Sequence, residues 1–286
     1  MSFILSRINN DIDENYYGKY KSIQELISSS LGEEKYLYKY IGLNENIEFV
    51  EKIIKDKTIK FSDPTTFNDP FECMSIIGVF SYSDIRDKLH EEYLNQGKSF
   101  NEEIAKIHYD ELIFSMRDEF HKSSLPKYGI LSLSSVWNNI LMWSHYASQH
   151  KGIVLIFKYI PSNDFYENMM KVRYKNGIEF FELSHSNKDK KIWESFSTKH
   201  TMWEYENEYR IISPPSALHM FDGAKIKPFP KELLLGIIFG IKTLDQHKVD
   251  INKWVSRYYP QLRIFQANAK VDDIGIEKVC LERQMG

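Results

Sequence analysis

The stretch Tyr205–Ile212 reads YENEYRII, and its alternation of side-chain types predicts a β-strand. Successive side chains of a strand point to opposite faces of the sheet, so Glu206, Glu208 and Arg210 are expected on one face. Like charges two residues apart on one face repel each other. Two interpretations remain open: an exposed face on which Arg210 pairs with Glu208, or a cleft wall where one carboxylate activates a nucleophile and the other orients it.

Six further segments, outward from this stretch, have the β-branched and aromatic residues that favour strands. They are Tyr36–Leu43, Thr58–Ser62, Gly129–Ser134, Ile153–Phe157, Leu233–Gly240 and Leu262–Ala267. Apolar residues at helical spacing predict helices at residues 43–54, 139–149 and 245–256. Because helices lie between strands with alternating faces, we predict an α+β fold with a mixed or antiparallel sheet core.

The chain divides by composition into a polar N-terminal extension, residues 1–34, and a single α+β domain, residues 35–286. From Ser83 to Lys122 the sequence is charged, poor in glycine and loosely helical. This segment predicts a helical insertion or lid within the domain.

The composition favours a soluble, cytoplasmic protein. Lys and Arg number 37 against 40 Asp and Glu, so no excess of positive charge indicates a nucleic-acid partner. Cys73 and Cys280 form neither a disulfide framework nor a zinc-ligand spacing, which suits a reducing compartment. The N-terminus lacks a signal-peptide pattern, and the longest apolar run, Leu233–Gly240, is too short to cross a bilayer. We therefore expect no membrane partner.

Several common enzyme motifs are missing from the sequence. It contains no Walker A loop, no GxGxxG after a strand, no HExxH and no deaminase H-x-E with P-C-x-x-C. These absences argue against the common nucleotide-binding enzymes and zinc hydrolases, and no motif assigns a metal.

Two short motifs carry clustered polar groups. Ser132 and Ser134 share one strand face, and without a GxSxG turn they suit hydrogen bonding better than nucleophilic attack. In NDPFE, Asn68 and Asp69 precede a proline, which predicts a rigid turn. The alternative is that Asp69 and Glu72 bind a metal or substrate hydroxyls.

A third motif, WSHYASQHKG at Trp143–Gly152, predicts the end of an aromatic helix, with Gly152 in a helix-ending position. His145 and Tyr146 lie inside this helix. His150 lies near its C-terminal end, where positive charge favours the helix dipole, so a capping role is preferred for it. The spacing of five between the two histidines differs from the four of a zinc-protease helix.

The order of these motifs, from YLYKYIGL through NDPFE, GILSLS and WSHYASQHKG to YENEYR, resembles the bacterial domain-of-unknown-function family 2971. The resemblance covers about Tyr36 to Ser213. Genes of this family are similar in context to accessory and phage-defence genes. The resemblance therefore implies a possible partner protein from a defence system.

A second resemblance is to the ADP-ribosyltransferases, whose motifs follow the order arginine strand, S-x-S strand and E-x-E strand. Lys39 in YKY stands where that pattern has arginine, although lysine lacks the bidentate geometry of arginine. The serine pair matches S-x-S, and the glutamate pair matches E-x-E. The resemblance implies a split sheet and NAD as the cofactor.

The same resemblance implies a role for each residue. Its cofactor-binding side chains would be Lys39, Tyr40, Ser132, Ser134 and Tyr146. Lys39 would hold the pyrophosphate, Ser132 would brace the nicotinamide ribose, and a tyrosine would stack on the nicotinamide ring. Glu208 would stabilise the oxocarbenium-like ribose as nicotinamide leaves, and Glu206 would orient or activate the acceptor.

We therefore expect an NAD-dependent ADP-ribosyltransferase-like enzyme that modifies a protein or nucleic acid, as a toxin or anti-phage effector. One alternative is a metal-dependent nuclease or phosphoesterase, whose ligands would be Asp69, Glu72, His145, Glu206 and Glu208. The other is a non-catalytic sensor that recognises a partner through the aromatic helix around Trp143.

Overall fold

The computed structural model describes residues 36–43, 47–73, 76–78, 82–177, 180–182, 194–270 and 275–280. The predicted N-terminal extension, residues 1–34, lies outside the described residues. The chain forms two compact units. In its described part, the first unit comprises residues 63–128 and 173–201, and the second comprises residues 36–62, 129–172 and 202–280.

The main sheet belongs to the second unit. Its strands are β1 Tyr36–Ile41, β4 Gly129–Ser134, β5 Ile153–Lys158, β6 Met169–Lys171, β10 Glu208–Ser213, β13 Leu234–Phe239, β14 Arg263–Ala269 and β15 Ile276–Cys280. They run in the order β15-β14-β13-β5-β1-β4-β10-β6. Only β13 and β14 are parallel among these pairs, so the described sheet is open and mixed. The predicted α+β class is confirmed.

Strand β5 lies inside this sheet and is buried on both faces. Leu155 and Phe157 belong to one apolar cluster, and Val154 and Ile156 belong to the other. The short apolar run IVLIF has no polar face because each side of the strand is covered. Helices α1 Ile47–Lys55 and α5 Asp245–Tyr258 contribute buried residues to the first of these clusters.

The second unit also has a three-stranded sheet, formed by β2 Thr58–Phe61, β11 His219–Phe221 and β12 Ala224–Pro228 in the order β11-β12-β2. Just beyond β2, Ser62 pairs with Ile130 of β4. This bridge fixes the end of β2 beside the main sheet.

The first unit contains the predicted helical segment. Most of residues 83–122 is helical: α2 covers Tyr82–Asn95, α3 covers Glu102–Glu119, and a turn of π-helix follows at Phe120–Ser124. Two parallel strand pairs complete the described part: β3 Ile76–Gly78 with β8 Phe180–Glu182, and β7 Arg173–Lys175 with β9 Thr198–His200. The role of the helices as an insertion or lid stays a prediction. Across its described residues, the chain has no helix long and apolar enough to span a membrane.

The aromatic helix is shorter than predicted. Helix α4 runs from Ile140 to Tyr146, and the chain then turns through Ser148, Gln149 and His150, whose φ angles are 46°, 56° and 68°. Gly152 does not end the helix. A Cβ atom there would lie 2.2 Å from the carbonyl oxygen of Ile41, so glycine is required by the close approach of two backbones.

The predicted strand at Tyr205 begins later than expected. Residues Thr201–Glu206 form 3₁₀ turns, Asn207 has a φ of 45°, and β10 starts at Glu208. A left-handed residue breaks the two-residue alternation. The prediction that Glu206 shares a strand face with Glu208 and Arg210 is therefore wrong, whereas the latter two do lie on one strand.

Candidate functional site

The main sheet opens between β1 and β4. Strand β1 pairs with β5 along its whole length, from Tyr36 to Ile41, but its pairing with β4 is confined to Tyr38 opposite Ser134. Further along β4, Ile130 pairs with Ser62 instead. Between these two points the two central strands separate and leave a gap in the sheet.

Lys39 extends into this gap. The N–H and carbonyl groups of Ile130 both hydrogen-bond to Ser62. Backbone groups two residues apart in a strand point to the same edge, so the N–H and carbonyl groups of Ser132 also face the gap. The Nζ atom of Lys39 donates a hydrogen bond to the carbonyl oxygen of Ser132 at 3.1 Å. An ammonium group thus takes the place of the missing strand contact.

A cleft of about 250 Å³ lies at this opening. It is lined by Lys39, Tyr40, Ile41, Gly42, Phe49, Ile53, Ile59, Lys60, Ser62 and Tyr146. One wall is apolar and aromatic, and two lysines supply positive charge. The ammonium of Lys60 lies 5.0 Å from the ring centre of Phe49, so the second charge sits over an aromatic face of the same cleft.

The charge of Lys39 is sensitive to its surroundings. Burial lowers the pKa of its amine to about 8, the carboxylate of Glu208 opposes this shift, and the charge of Lys60 adds to it. Lys39 is therefore mostly protonated at pH 7, but it titrates far closer to neutrality than an ordinary lysine.

Two tyrosines that the sequence predicts as cofactor-binding residues line the cleft. Tyr40 donates its hydroxyl hydrogen to the carbonyl oxygen of Val136 at 3.0 Å, and its ring packs edge-on against Trp143. Burial is the main cause that raises the pKa of Tyr40, so its phenol stays protonated. Tyr146, from the last turn of α4, donates to a carboxylate oxygen of Glu206 at 2.5 Å.

The turn that carries Glu206 is held from two sides. The hydroxyl of Ser134 donates to the carbonyl oxygen of Glu206 at 2.6 Å and accepts from the backbone N–H of Val136. Asn139 caps the first turn of α4 and donates to the carbonyl oxygen of Tyr205. Glu206 is only 2% exposed, so its carboxylate is buried and held by its hydrogen bond to Tyr146.

Glu208 and Arg210 form a buried ion pair. The Nε and Nη2 atoms of Arg210 each donate to one oxygen of Glu208 at 2.8 Å, and the two side chains are 1% and 6% exposed. The pairing of Arg210 with Glu208 that is expected for an exposed strand face is present, but the pair is buried and bidentate. The oxygens of Glu208 are thus bonded to a guanidinium, although the charge of Glu208 acts on Lys39.

The structure brings part of the predicted set together. Lys39, Tyr40 and Tyr146 line the cleft, Glu206 contacts it through Tyr146, and Ser132 contributes a carbonyl oxygen. Ser134, Glu208 and Arg210 do not line it. Ser134 acts as a positioning residue for Glu206, which differs from the predicted contact with cofactor.

Sequence reasoning missed Lys60, Phe49 and Ser62, which also line the cleft. The alternation of TIKFS places Lys60 opposite Ile59 and Phe61, but this pattern is typical of any strand with one exposed face. Lys60 lines the cleft because β2 lies near the gap, and this position cannot be read from the local sequence.

The NDPFE motif belongs to the first unit. The carboxylate of Asp69 accepts from the backbone N–H of Phe71 at 2.9 Å, which is the turn geometry that the sequence predicts for residues 68–72, beginning at Asn68. Glu72 pairs with Lys199 at 2.5 Å, and both side chains are buried. These contacts explain the motif as a rigid loop with a buried ion pair.

The two histidines of the third motif have different environments. His145 is exposed and lies beside the rings of Tyr146, Trp203 and Tyr205. His150 stacks on Trp143, and burial followed by the charge of Lys242 lowers its pKa. A neutral imidazole gives no favourable charge to the helix dipole, so the predicted capping role is wrong for its side chain; its backbone N–H bonds the carbonyl oxygen of Trp143 instead.

Within the described ranges, no group of three or more His, Cys, Asp and Glu side chains is placed to hold a metal ion. A second depression, of about 440 Å³, is lined by Asn138, Asn139, Ile140, Leu141, Lys270, Gly275 and Ile276. It holds none of the predicted site residues.

The fold and the site define an α+β protein whose open, mixed sheet separates beside a small cationic cleft. Residues 142–211 match the model of the family described as "Protein of unknown function (DUF2971)", which confirms the family resemblance over this segment. The segment includes Tyr146, Glu206, Glu208 and Arg210. Searches of curated proteins and of solved structures gave no match.

Proposed function

We propose that this chain is an ADP-ribosyltransferase-like enzyme that uses NAD to modify a macromolecule. One observation carries the proposal: the ammonium of Lys39 lies in the gap between β1 and β4, in a cleft that Tyr146 connects to the carboxylate of Glu206. A cation for phosphate and an aromatic wall thus meet within one concave site, and a buried carboxylate lies one hydrogen bond away from it.

The proposed chemistry uses these groups in turn. Lys39 binds the NAD pyrophosphate, and the ring of Tyr40 or Tyr146 packs on the nicotinamide. The bond from ribose C1′ to nicotinamide breaks, and nicotinamide leaves as a neutral molecule with the bonding electron pair. An acceptor oxygen or nitrogen bonds to C1′, and its proton is taken up by a carboxylate.

The geometry favours Glu206 as that carboxylate. It contacts the cleft through the hydroxyl of Tyr146, whereas the oxygens of Glu208 are bonded to Arg210. Glu208 contributes through its field, because its negative charge acts on Lys39 and favours the positive charge that develops on the ribose. The two acids of the motif therefore have separate roles in this proposal.

The acceptor, the biological role and the partner protein are proposed from the sequence. A protein or nucleic acid as acceptor, and a role as toxin or anti-phage effector with a partner protein, follow from the resemblances alone. A cytoplasmic location is proposed from the cysteine usage of the sequence, because two cysteines without a disulfide framework suit a reducing compartment.

The test uses NAD labelled separately in its nicotinamide and adenine parts, incubated with the full chain and a cell extract. We expect the chain to release nicotinamide and transfer adenine label to a macromolecule. Glu206→Gln and Glu208→Gln should each lower transfer at least about 100-fold, the range of one lost catalytic group. Lys253→Gln, an exposed change on α5, is the matched control.

A wild-type chain that releases no nicotinamide would reject the proposal. Release that continues unchanged in both glutamine variants would reject the assigned acids. The nuclease and sensor alternatives stay predictions, since no contact in the described part of the chain favours either over the transferase.

A further inference from the structure

Two lysines share the cleft, and only one of them belongs to a predicted motif. Lys39 comes from β1 and Lys60 from β2, and both line the same space of about 250 Å³. Their positive charges repel each other, and the charge of Lys60 helps to lower the pKa of Lys39. An anion between the two would turn this repulsion into attraction.

Neither ammonium forms a direct ion pair with a carboxylate in the described part of the chain, and the charge of Glu208 acts on Lys39 without such a contact. Lys39 makes one hydrogen bond, to the carbonyl oxygen of Ser132, and Lys60 lies over the ring of Phe49. An ammonium group has three donors, so Lys39 retains two for another acceptor. The unused donors of Lys39 face the cleft, where an anion can displace water and accept hydrogen bonds from them.

The remaining wall indicates what the anion is attached to. Phe49, Ile53 and Ile59 provide an apolar surface, and Tyr40 and Tyr146 add aromatic rings. The volume lies just below the range of about 300–1,000 Å³ that encloses a drug-sized ligand. The cleft therefore suits a phosphate group with one attached ring system and leaves the rest of a dinucleotide outside.

We propose that Lys39 and Lys60 together form a two-lysine site for the diphosphate of a nucleotide, with Lys60 as a phosphate ligand that no motif assigns. This inference rests on the proposed function for its ligand class, because NAD carries such a diphosphate. Its test measures binding alone, so it does not depend on cleavage of NAD.

The site also makes binding dependent on pH. A bound phosphate stabilises the charged form of Lys39 and raises its pKa above the value of about 8 in the free protein. The other charged groups that act on Lys39 are Glu208 and Lys60, which oppose each other. Near pH 8, binding therefore takes up protons at Lys39, and affinity falls as pH rises through this region.

The experiment is isothermal titration of the full chain with ADP at pH 7 and pH 9, in two buffers of different ionisation enthalpy. Lys60→Gln should weaken ADP binding about tenfold, the effect of one charge-assisted contact. Lys39→Met should weaken it at least as much and abolish the proton uptake. Lys253→Gln, an exposed lysine far along the chain on α5, should change neither.

Pyrophosphate and adenosine separate the two parts of the ligand. We expect pyrophosphate to bind with the same dependence on Lys60 but more weakly than ADP, and adenosine to bind weakly and independently of Lys60. Equal ADP affinity in wild type and Lys60→Gln, or no ADP binding at all, would overturn the two-lysine site.

The outcomes also distinguish this inference from the proposed function. If ADP binds through Lys60 but NAD is never cleaved, the phosphate site stands and the transferase proposal fails. If NAD is cleaved while Lys60→Gln leaves ADP affinity unchanged, the transferase stands and the two-lysine site fails. Circular dichroism of each variant checks that a loss of binding is not a loss of fold.

Discussion

Tyr146 donates its hydroxyl hydrogen to the carboxylate of Glu206 at 2.5 Å, across a separation of 60 residues in the chain. This contact joins the end of α4 to the turn before β10. It also places a buried acid one hydrogen bond from the cleft at which β1 and β4 separate. The two motifs WSHYASQHKG and YENEYR are therefore parts of one structure.

We expect Tyr146→Phe to lower the free energy of unfolding by about 1–3 kcal/mol, because a buried carboxylate loses a donor. In a double-mutant cycle with Glu206→Gln, the two changes should couple by about 0.5–3 kcal/mol. Urea unfolding of the four proteins measures this coupling energy. Additive effects would show that the hydrogen bond contributes nothing to stability.

The two serines of SLS should differ in their effect on stability. The hydroxyl of Ser134 is buried between the carbonyl oxygen of Glu206 and the N–H of Val136, so Ser134→Ala should cost about 1–3 kcal/mol. Ser132→Ala is the matched control and should stay within about 0.5 kcal/mol. Thermal unfolding of both variants tests this, and equal losses would contradict the positioning role of Ser134.

Lys39→Met should raise the free energy of unfolding at pH 7 by about 1–3 kcal/mol, because it removes a cation whose folded pKa is lowered by burial. The sign follows from proton binding: between the folded pKa of about 8 and the ordinary 10.5, the unfolded wild type holds more protons. Wild-type stability therefore rises with pH across this window, and the advantage of the variant shrinks.

Urea unfolding at pH 7, 9 and 10.5 follows this difference, with Lys253→Met as an exposed control on α5. A constant difference across the three pH values would mean that Lys39 titrates normally in the folded chain.

The buried pair of Glu208 and Arg210 should respond strongly to loss of one partner. Arg210→Met leaves the carboxylate of Glu208 buried without its bidentate donor, so we expect a loss of about 3–5 kcal/mol. The exposed pair of Lys106 and Asp110 gives the comparison, and Lys106→Met should have little effect on stability, because an exposed ion pair contributes little. Similar losses for both pairs in chemical unfolding would contradict the burial of Arg210.

Local sequence patterns predicted most of the secondary structure. Strands β1, β4 and β5 lie where their aromatic and β-branched residues indicate, since the two-residue alternation is a property of neighbouring residues. The same rule failed before β10, because Asn207 adopts a left-handed conformation that the pattern does not reveal. The helix after Asn139 was predicted too long for a similar reason, since three left-handed residues follow Ala147.

The sequence by itself determined the α+β class, most strands of the main sheet except β6 and β15, and the candidacy of Lys39, Tyr146 and Glu206, because these depend on residue type and short-range periodicity. Only the tertiary structure decided which of them meet. The bond of Lys39 to Ser132 spans 93 residues, and Lys60 reaches the same cleft from another strand. Such contacts depend on which strands pair and on the residue at which their pairing stops. No local sequence pattern determines either, because both depend on segments that are far apart in the chain.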